Sequence, residues 1–498
     1  MKKIGIVLSL LGILLIVLFA LLDYVGLGKG GKLGSAQLLG IESGIGFVLL
    51  GAGLLLTSRN REIQVSNSLR LGIDHILNLP PVVWGVLTFL VLYVRFFVYP
   101  MFFLNIKVQY FVKYIPDAWV TRIGFDLGTT MDHIQGWLVD NVSPYADGVV
   151  PYSPLTLVVF APLLVLGYPG YYKALTLVTL AVYFLATLWI PARMDPRKQY
   201  ALISVFSLLG LFSYGFQFEL ERGQFNVLAF GLGLLGIYIY HYHHPFRYFA
   251  YLSFCLAVQL KLYPLIFLLM FIKDWRDWKG NIRRWLGLGL LNFALLFVLG
   301  YRLGMEFITS ITARQLHFQS SRMEDLSISG FVYFLTTEGV GGIGAGAMMP
   351  YGQALELLFM LVFGTCLLAL LAHHYVHKRA GLNPYLLAVC TIGALIIPAG
   401  SFDYKLPLLV VPLALIFCSL PVMSETHKKI ASIVLIVAMS SAYWSTLYPA
   451  TVKPIFLARN FPALFVMLIS ITGLYFLVNQ RTELKAVDVS ISRPLNNS

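Results

Sequence analysis

Two aspartates six residues apart, Asp126 and Asp132, lie in the run Gly124-Phe125-Asp126-Leu127-Gly128-Thr129-Thr130-Met131-Asp132-His133. A carboxylate in such a setting suits a general base acting on a hydroxyl nucleophile, with His133 and the downstream Tyr152 as substrate contacts. The same residues also fit a cap on a short loop helix at Asp126, or a solvated face at Asp132 and His133. Farther on, Gly223-Gln224-Phe225-Asn226 opens an apolar segment just after Glu219, Glu221 and Arg222. Gln224 and Asn226 stand at i and i+2 and point to different faces. Gln224 is therefore assigned to ligand and Asn226 to helix packing, although hydrogen bonding between helices would account for both.

Lys261 interrupts an apolar run. An ammonium there needs an anion or water, and a lipid phosphate would supply the anion; a packed, snorkelling lysine is the alternative. Asp403 and Lys405, in Phe402-Asp403-Tyr404-Lys405, are read as substrate contacts or as an interfacial anchor with an internal ion pair. His241, His243, His244, His373, His374 and His377 invite a metal hypothesis, but no carboxylate accompanies the i, i+4 pair as it does in HExxH. They are read as interfacial histidines, and no metal site or cofactor is expected.

The elements that must hold these groups are membrane helices. The 498 residues are 58% hydrophobic and 12% charged, far below the roughly 25% charge of soluble domains. The net charge of +13 comes from short basic clusters between apolar segments. Such clusters mark topology, so nucleic acid is excluded as a partner and membrane lipid is expected. Four single cysteines without metal spacing predict free, buried thiols. The fold class is an all-α polytopic membrane protein of the plasma membrane with both termini cytoplasmic.

Residues 1–80 read as two N-terminal helices, the first uncleaved, with a cytoplasmic loop; 81–480 as the main membrane domain, with a large extracytoplasmic loop at 105–151; and 481–498 as a cytoplasmic tail. About twelve spans are expected, at positions that include 201–216, 224–240, 285–303, 353–372, 384–398, 406–421, 430–447 and 461–478. Broken or re-entrant elements are expected near Gly167 to Gly170 and near Lys261 with Pro264. The topology gathers Asp126, Asp132, His133, Glu219, Glu221, Arg222, Gln224, Arg314, His317, Arg322, Glu324, Asp325, Asp403 and Lys405 at one extracytoplasmic face.

In this order Asp126-Leu127, Pro144-Tyr145, Tyr152-Ser153-Pro154-Leu155, Gly223-Gln224-Phe225-Asn226, Lys261-Leu262-Tyr263-Pro264 and Ser401-Phe402-Asp403-Tyr404-Lys405 resemble glycosyltransferase family 87. The resemblance runs from about Val82 to Gln480. It implies a C-type glycosyltransferase (GT-C) fold with an outward-facing site, a polyprenyl-phosphate sugar donor, with mannose the sugar, and an aspartate of the first outer loop as base. That role falls to Asp126, with Asp132 in reserve. The chain departs from the family pattern at Ser153, where proline is usual, and at Asp403 and Lys405, where many relatives carry histidine. The expected function is inverting transfer of a sugar to a lipid or glycan acceptor, with Lys261, Arg222 and Lys405 holding the phosphate. A secondary transporter or lipid-linked sugar flippase would also use intramembrane charges near broken helices.

Overall fold

The computed structural model describes Ile13, residues 124–148, 150–195, 199–211, 213–272, 274–275, 277–317, 324–337, 349–377 and 381–418, a few positions between 426 and 438, and 459–491. The chain separates into two units, Met1–Leu77 and Asn78–Ser498, and every element below belongs to the second. The two N-terminal helices expected within 1–80, apart from Ile13, together with residues 81–123, Arg322 and most of the span at 430–447, lie outside the described residues.

The described residues are helical and largely apolar. In chain order they form α1 (Phe125–Asp140), α2 (Pro154–Phe160) running into a 3-10 turn (Ala161–Leu166), α3 (Gly167–Phe184) and, through a π turn (Leu185–Trp189), α4 (Ile190–Met194). There follow α5 (Tyr200–Leu211), α6 (Tyr214–Arg222), α7 (Asn226–Tyr242), α8 (Arg247–Leu260), a 3-10 segment (Tyr263–Met270), α9 (Trp278–Leu295) and α10 (Tyr301–His317). The chain continues with α11 (Ile328–Thr337), α12 (Gly352–His377), α13 (Pro384–Ile396), a 3-10 segment (Asp403–Leu409), α14 (Val410–Cys418) and α15 (Asn460–Ile491). Among the described residues, Gly170–Met194, Gly352–His377 and Asn460–Val478 are long and apolar enough to cross a membrane, and Tyr200–Leu211 with Gly215–Arg222, bent by 54°, forms a fourth span if read as one.

α7 and α8 pack tightly because α7 presents glycines to its neighbours. A Cβ on Gly236 would lie 2.8 Å from the Ala250 carbonyl oxygen, so only glycine permits this approach. The core continues through α13 and α14, whose residues are buried almost throughout. All four cysteines are buried free thiols.

Several boundaries differ from expectation for identifiable reasons. The helix expected over 201–216 breaks before α6, whose start is capped by the Ser213 hydroxyl accepting from the Phe216 amide at 3.3 Å. The segment expected as one helix from Leu406 begins as a 3-10 turn that contains Pro407, whose ring cannot sit in an α-helical interior without clash. α9 starts at Trp278, ahead of the expected Trp285, because the Asp277 side chain caps it through the Gly280 amide. α10 and α11 were not anticipated as helices at all.

The two expected broken elements are present. α3 carries a non-helical residue at Tyr168, with φ −82° and ψ 134°. α8 stops at Lys261, which is extended, with φ −147° and ψ 139°, three residues ahead of Pro264. The break frees the Gln259 carbonyl, which accepts from the hydroxyls of Ser153 at 2.7 Å and Thr156 at 2.6 Å. Ser153 thus performs at this position a task that proline, lacking a donor, cannot.

Candidate active site

Two glycine turns bring the site together. Gly124, before α1, and Gly223, after α6, both adopt left-handed backbone, with φ +72° and +66°. They touch backbone to backbone: the Gly124 amide donates to the Glu221 carbonyl at 2.7 Å, and a Cβ on Gly223 would lie 3.0 Å from Gly124 Cα and 2.9 Å from Leu127 Cβ. Left-handed backbone with no room for a side chain restricts both positions to glycine. The contact sets the first turn of α1 against the last turn of α6.

Asp126 and Arg222 meet across this contact. Arg222 Nη2 donates to Asp126 Oδ1 at 2.8 Å and Arg222 Nε to Oδ2 at 3.2 Å, a two-point ion pair in which both side chains keep some exposure. Gln224 Nε2 also donates to Asp126 Oδ2. The capping alternative for Asp126 does not describe its position, since the cap residue of α1 is Gly124 and the carboxylate turns to α6 and Gln224.

The other end of the Gln224 amide accepts from Lys261 Nζ at 2.7 Å. This amide orientation is the one that pairs donor with acceptor at both ends, so Gln224 holds a carboxylate on one side and an ammonium on the other. The ammonium lies 4.4 Å from the ring centres of both Tyr152 and Phe225, which are 4.7 Å apart. Such contacts contribute about 2 kcal/mol each when desolvated. They hold a cation without neutralising its charge. Leu262 and Leu265, just past the break, are exposed and continue the apolar surface outward.

Asn226 faces elsewhere, as its spacing from Gln224 requires. Its Nδ2 donates to Glu219 Oε2 at 2.8 Å, and Glu219 Oε1 accepts the Val227 amide at 3.0 Å. Glu219, fully buried, thus satisfies the N-terminus of α7, where a negative charge also meets the positive end of the helix dipole. Tyr263 Oη donates to the Asn226 carbonyl at 2.6 Å and ties the segment after Lys261 to the same corner. Removing the carboxylate strands the Asn226 and Val227 donors, so Glu219→Ala should destabilise the protein by ~2–4 kcal/mol. Thermal unfolding in detergent reads this loss, and an unchanged midpoint would contradict the assignment.

The remaining sequence candidates fall in three places. Asp132 is exposed on the side of α1 away from Asp126, as a separation of six helical residues dictates. His133 faces the loop after α1: its Nδ1 is 2.7 Å from the Thr129 carbonyl and its Nε2 2.8 Å from Asp147 Oδ2. Asp403 is buried and accepts from Asn460 Nδ2 at 3.0 Å, joining its 3-10 turn to α15. Lys405 stands closer to the centre. Its Nζ donates to Ser401 Oγ at 3.0 Å, sits 5.2 Å from the Tyr263 ring, and lies within electrostatic reach of Lys261. Asp126, Arg222, Gln224, Lys261 and Tyr152 thus converge, Lys405 borders them, and Asp132, His133 and Asp403 serve other neighbourhoods.

Both His133 nitrogens face oxygen acceptors, which favours the imidazolium. Burial alone would lower its pKa, but the Thr129 carbonyl and Asp147 outweigh it and raise the value above the ordinary 6.5. A raised folded value means that the pair stabilises the loop fully below pH 6.5 and that this support is lost as pH climbs through the raised value. Hydrogen exchange across residues 141–148 should therefore quicken over that window, and Asp147→Asn should weaken the pH dependence, leaving the part that the Thr129 carbonyl supplies.

Sequence reasoning gathered Glu219 and Arg314 at this face without giving either a role, and it missed Phe225 and Tyr263. Phe225 and Tyr263 carried a usable signal, since aromatic residues beside Gln224 and Lys261 are positioned to flank a cation. The histidines at the end of α12 are engaged in packing: His373 Nδ1 lies 2.8 Å from Tyr475 Oη, and its ring stacks on His377 at 4.0 Å. Among the described residues, no three His, Cys, Asp or Glu side chains converge as a metal site.

Comparison with known proteins adds one match. Residues 151–398 fit the family model described as Glycosyltransferase family 87. This stretch contains Tyr152, Arg222, Gln224 and Lys261, and it ends before Asp403. No curated protein matches the chain.

Proposed function

Because residues 151–398 place the chain in glycosyltransferase family 87, and it is a membrane glycosyltransferase, we propose that it transfers mannose from a polyprenyl-phosphate donor to a lipid or glycan acceptor with inversion. The proposal includes a C-type fold of about twelve spans in the plasma membrane, with both termini cytoplasmic and the site opening outward. The observation that carries it is the Gln224 amide, which holds Asp126 and Lys261 on its two sides. A base and a phosphate-binding cation are the two groups this reaction needs.

In the reaction, the acceptor hydroxyl gives its proton to the Asp126 carboxylate as its oxygen bonds to the anomeric carbon. The bond from that carbon to the phosphate oxygen breaks, and its electron pair stays on the departing polyprenyl phosphate. Phosphate is a competent leaving group, so the demand is for positive charge at its oxygens and not for a separate acid. The geometry divides the three expected cations. Arg222 is engaged by Asp126 and orients the base, while Lys261 and Lys405 hydrogen-bond to neutral oxygens, with the buried Glu219 carboxylate within electrostatic reach of both, and they are the cations assigned to the phosphate. The exposed apolar surface at Leu262 and Leu265 suits the prenyl chain.

The donor class is tested with purified protein offered labelled polyprenyl-phosphate mannose or a nucleotide mannose together with a pool of acceptors. Transfer from the lipid donor alone, with the anomeric configuration inverted in the product, is the expected result. Transfer from the nucleotide sugar alone would overturn the proposal.

A further inference from the structure

Tyr145 lies in the connection between α1 and α2, and its hydroxyl donates to the Tyr152 carbonyl at 2.8 Å; both residues are buried. Burial and the nearby Glu306 carboxylate push the Tyr145 phenol up, so the proton that makes this bond stays in place. The turn that carries Tyr145 is itself fastened to α10. Ser143 Oγ donates to Glu306 Oε2 at 2.5 Å and accepts the Tyr145 amide at 3.3 Å, while Glu306 Oε1 accepts from Arg302 Nε at 2.9 Å. The buried Phe307 ring lies 5.6 Å from the Tyr145 ring. α10 therefore buttresses the tyrosine through a polar latch and an aromatic contact.

Tyr152 is pinned on two sides. Tyr145 holds its carbonyl, and the next residue, Ser153, donates through Oγ to the Gln259 carbonyl at 2.7 Å, two residues ahead of Lys261. Between these pins the Tyr152 ring lies 4.4 Å from Lys261 Nζ and 4.7 Å from the Phe225 ring. A cation held over an aromatic ring keeps its place only while the ring does, because the attraction depends on the cation lying near the ring face. Loss of the Tyr145 hydroxyl takes this donor from the Tyr152 carbonyl and removes one of the two pins.

We propose that Tyr145 is a positioning residue for donor binding: through the Tyr152 carbonyl it holds the Tyr152 ring against Lys261, and so sets the ammonium that receives the phosphate of an isoprenyl phosphate. The inference rests on the donor class proposed above and deepens it. Tyr145 acts on the phosphate through Tyr152 and Lys261, so its effect exists only while Lys261 is present. In this account α10 supports the donor site from behind, by fixing the turn that carries Tyr145.

The test measures binding of geranylgeranyl phosphate and of the neutral alcohol geranylgeraniol to the full chain in lipid nanodiscs, for wild type, Tyr145→Phe, Lys261→Ala and the double variant. Tyr145→Phe should bind the phosphate about 3- to 10-fold more weakly while binding the alcohol as wild type does. In the Lys261→Ala background the same substitution should change phosphate binding by less than about 2-fold, because the effects of residues that act through one another do not add. Phosphate binding at wild-type strength in Tyr145→Phe would overturn the inference and leave the donor class standing. Equal losses for phosphate and alcohol, or a loss that persists in full without Lys261, would make Tyr145 a structural residue and also overturn it. A wild-type protein that does not prefer the phosphate over the alcohol would overturn the donor class and this inference together.

Discussion

Asp126→Asn should lower sugar transfer by about 10²- to 10⁴-fold, the range expected when a general base is lost. The substitution preserves volume, but only one of its two side-chain heavy atoms accepts hydrogen bonds. Asp126 Oδ2 receives Gln224 Nε2 and Arg222 Nε, and Oδ1 receives Arg222 Nη2. An asparagine satisfies the crowded Oδ2 position with its oxygen and then presents an amide donor to Arg222 Nη2. The pair loosens, yet Lys261 and Lys405 remain in place, so binding of an isoprenyl phosphate should change by no more than a few fold. The prediction is a fall in kcat with KM for the donor nearly unchanged. Asp126→Glu should not rescue it, because the added methylene shifts a carboxylate held at both oxygens. If transfer survives in Asp126→Asn and collapses in Asp132→Asn, the base lies on the exposed side of α1.

Lys261→Ala should weaken both donor binding and turnover. Removing the ammonium takes away the charge that stabilises the departing phosphate, and the expected loss in kcat/KM is about 10²- to 10³-fold, comparable to the removal of one electrostatic donor at a developing anion. The alcohol part of the donor should still bind, since the exposed apolar surface around Leu262 and Leu265 is unchanged. Stability carries two opposed changes, relief of the buried ammonium and loss of the cation near buried Glu219. The wild-type protein bears the cost of keeping an ammonium away from water, partly offset by the Tyr152 and Phe225 rings at 4.4 Å and by the Gln224 oxygen. A variant that unfolds at a lower temperature and transfers normally would show that Lys261 is a packing residue. Lys261→Arg is a sharper control, since it keeps the charge and should retain more activity than alanine.

The individual members of this site were legible in the sequence because each is out of place locally. A lysine inside an apolar run, an aspartate beside two glycines, and a glutamine at the start of an apolar segment all require a physical explanation. Their assembly was not legible. Asp126 and Arg222 are 96 residues apart, and they meet because Gly124 and Gly223 both take left-handed backbone and press together. Spacing along the chain carries no trace of that contact. Asp403 shows the reverse failure: its place next to Lys405 suggested a substrate contact, but Asn460, 57 residues away, takes up one of its oxygens.

Secondary structure followed a similar division. Long apolar elements such as α12 and α13 stood near their expected positions, because hydrophobicity sets where a span lies. Breaks governed by a proline, at Lys261 ahead of Pro264, were also foreseen. The bend between α5 and α6 was missed because no proline signals it. α10 was missed for a different reason, since its polar residues interrupt the apolar length that marks a span.

The central claim is that the chain breaks a sugar–phosphate bond and does not merely move an intact lipid-linked sugar. Purified wild-type protein in sealed vesicles, loaded with labelled polyprenyl-phosphate mannose and supplied with acceptor, allows both events to be followed in one sample. The account predicts labelled acceptor together with an equal amount of free polyprenyl phosphate, and neither product from Asp126→Asn. Intact donor that crosses the bilayer with its label still attached, and no labelled acceptor, would contradict the account and favour a flippase.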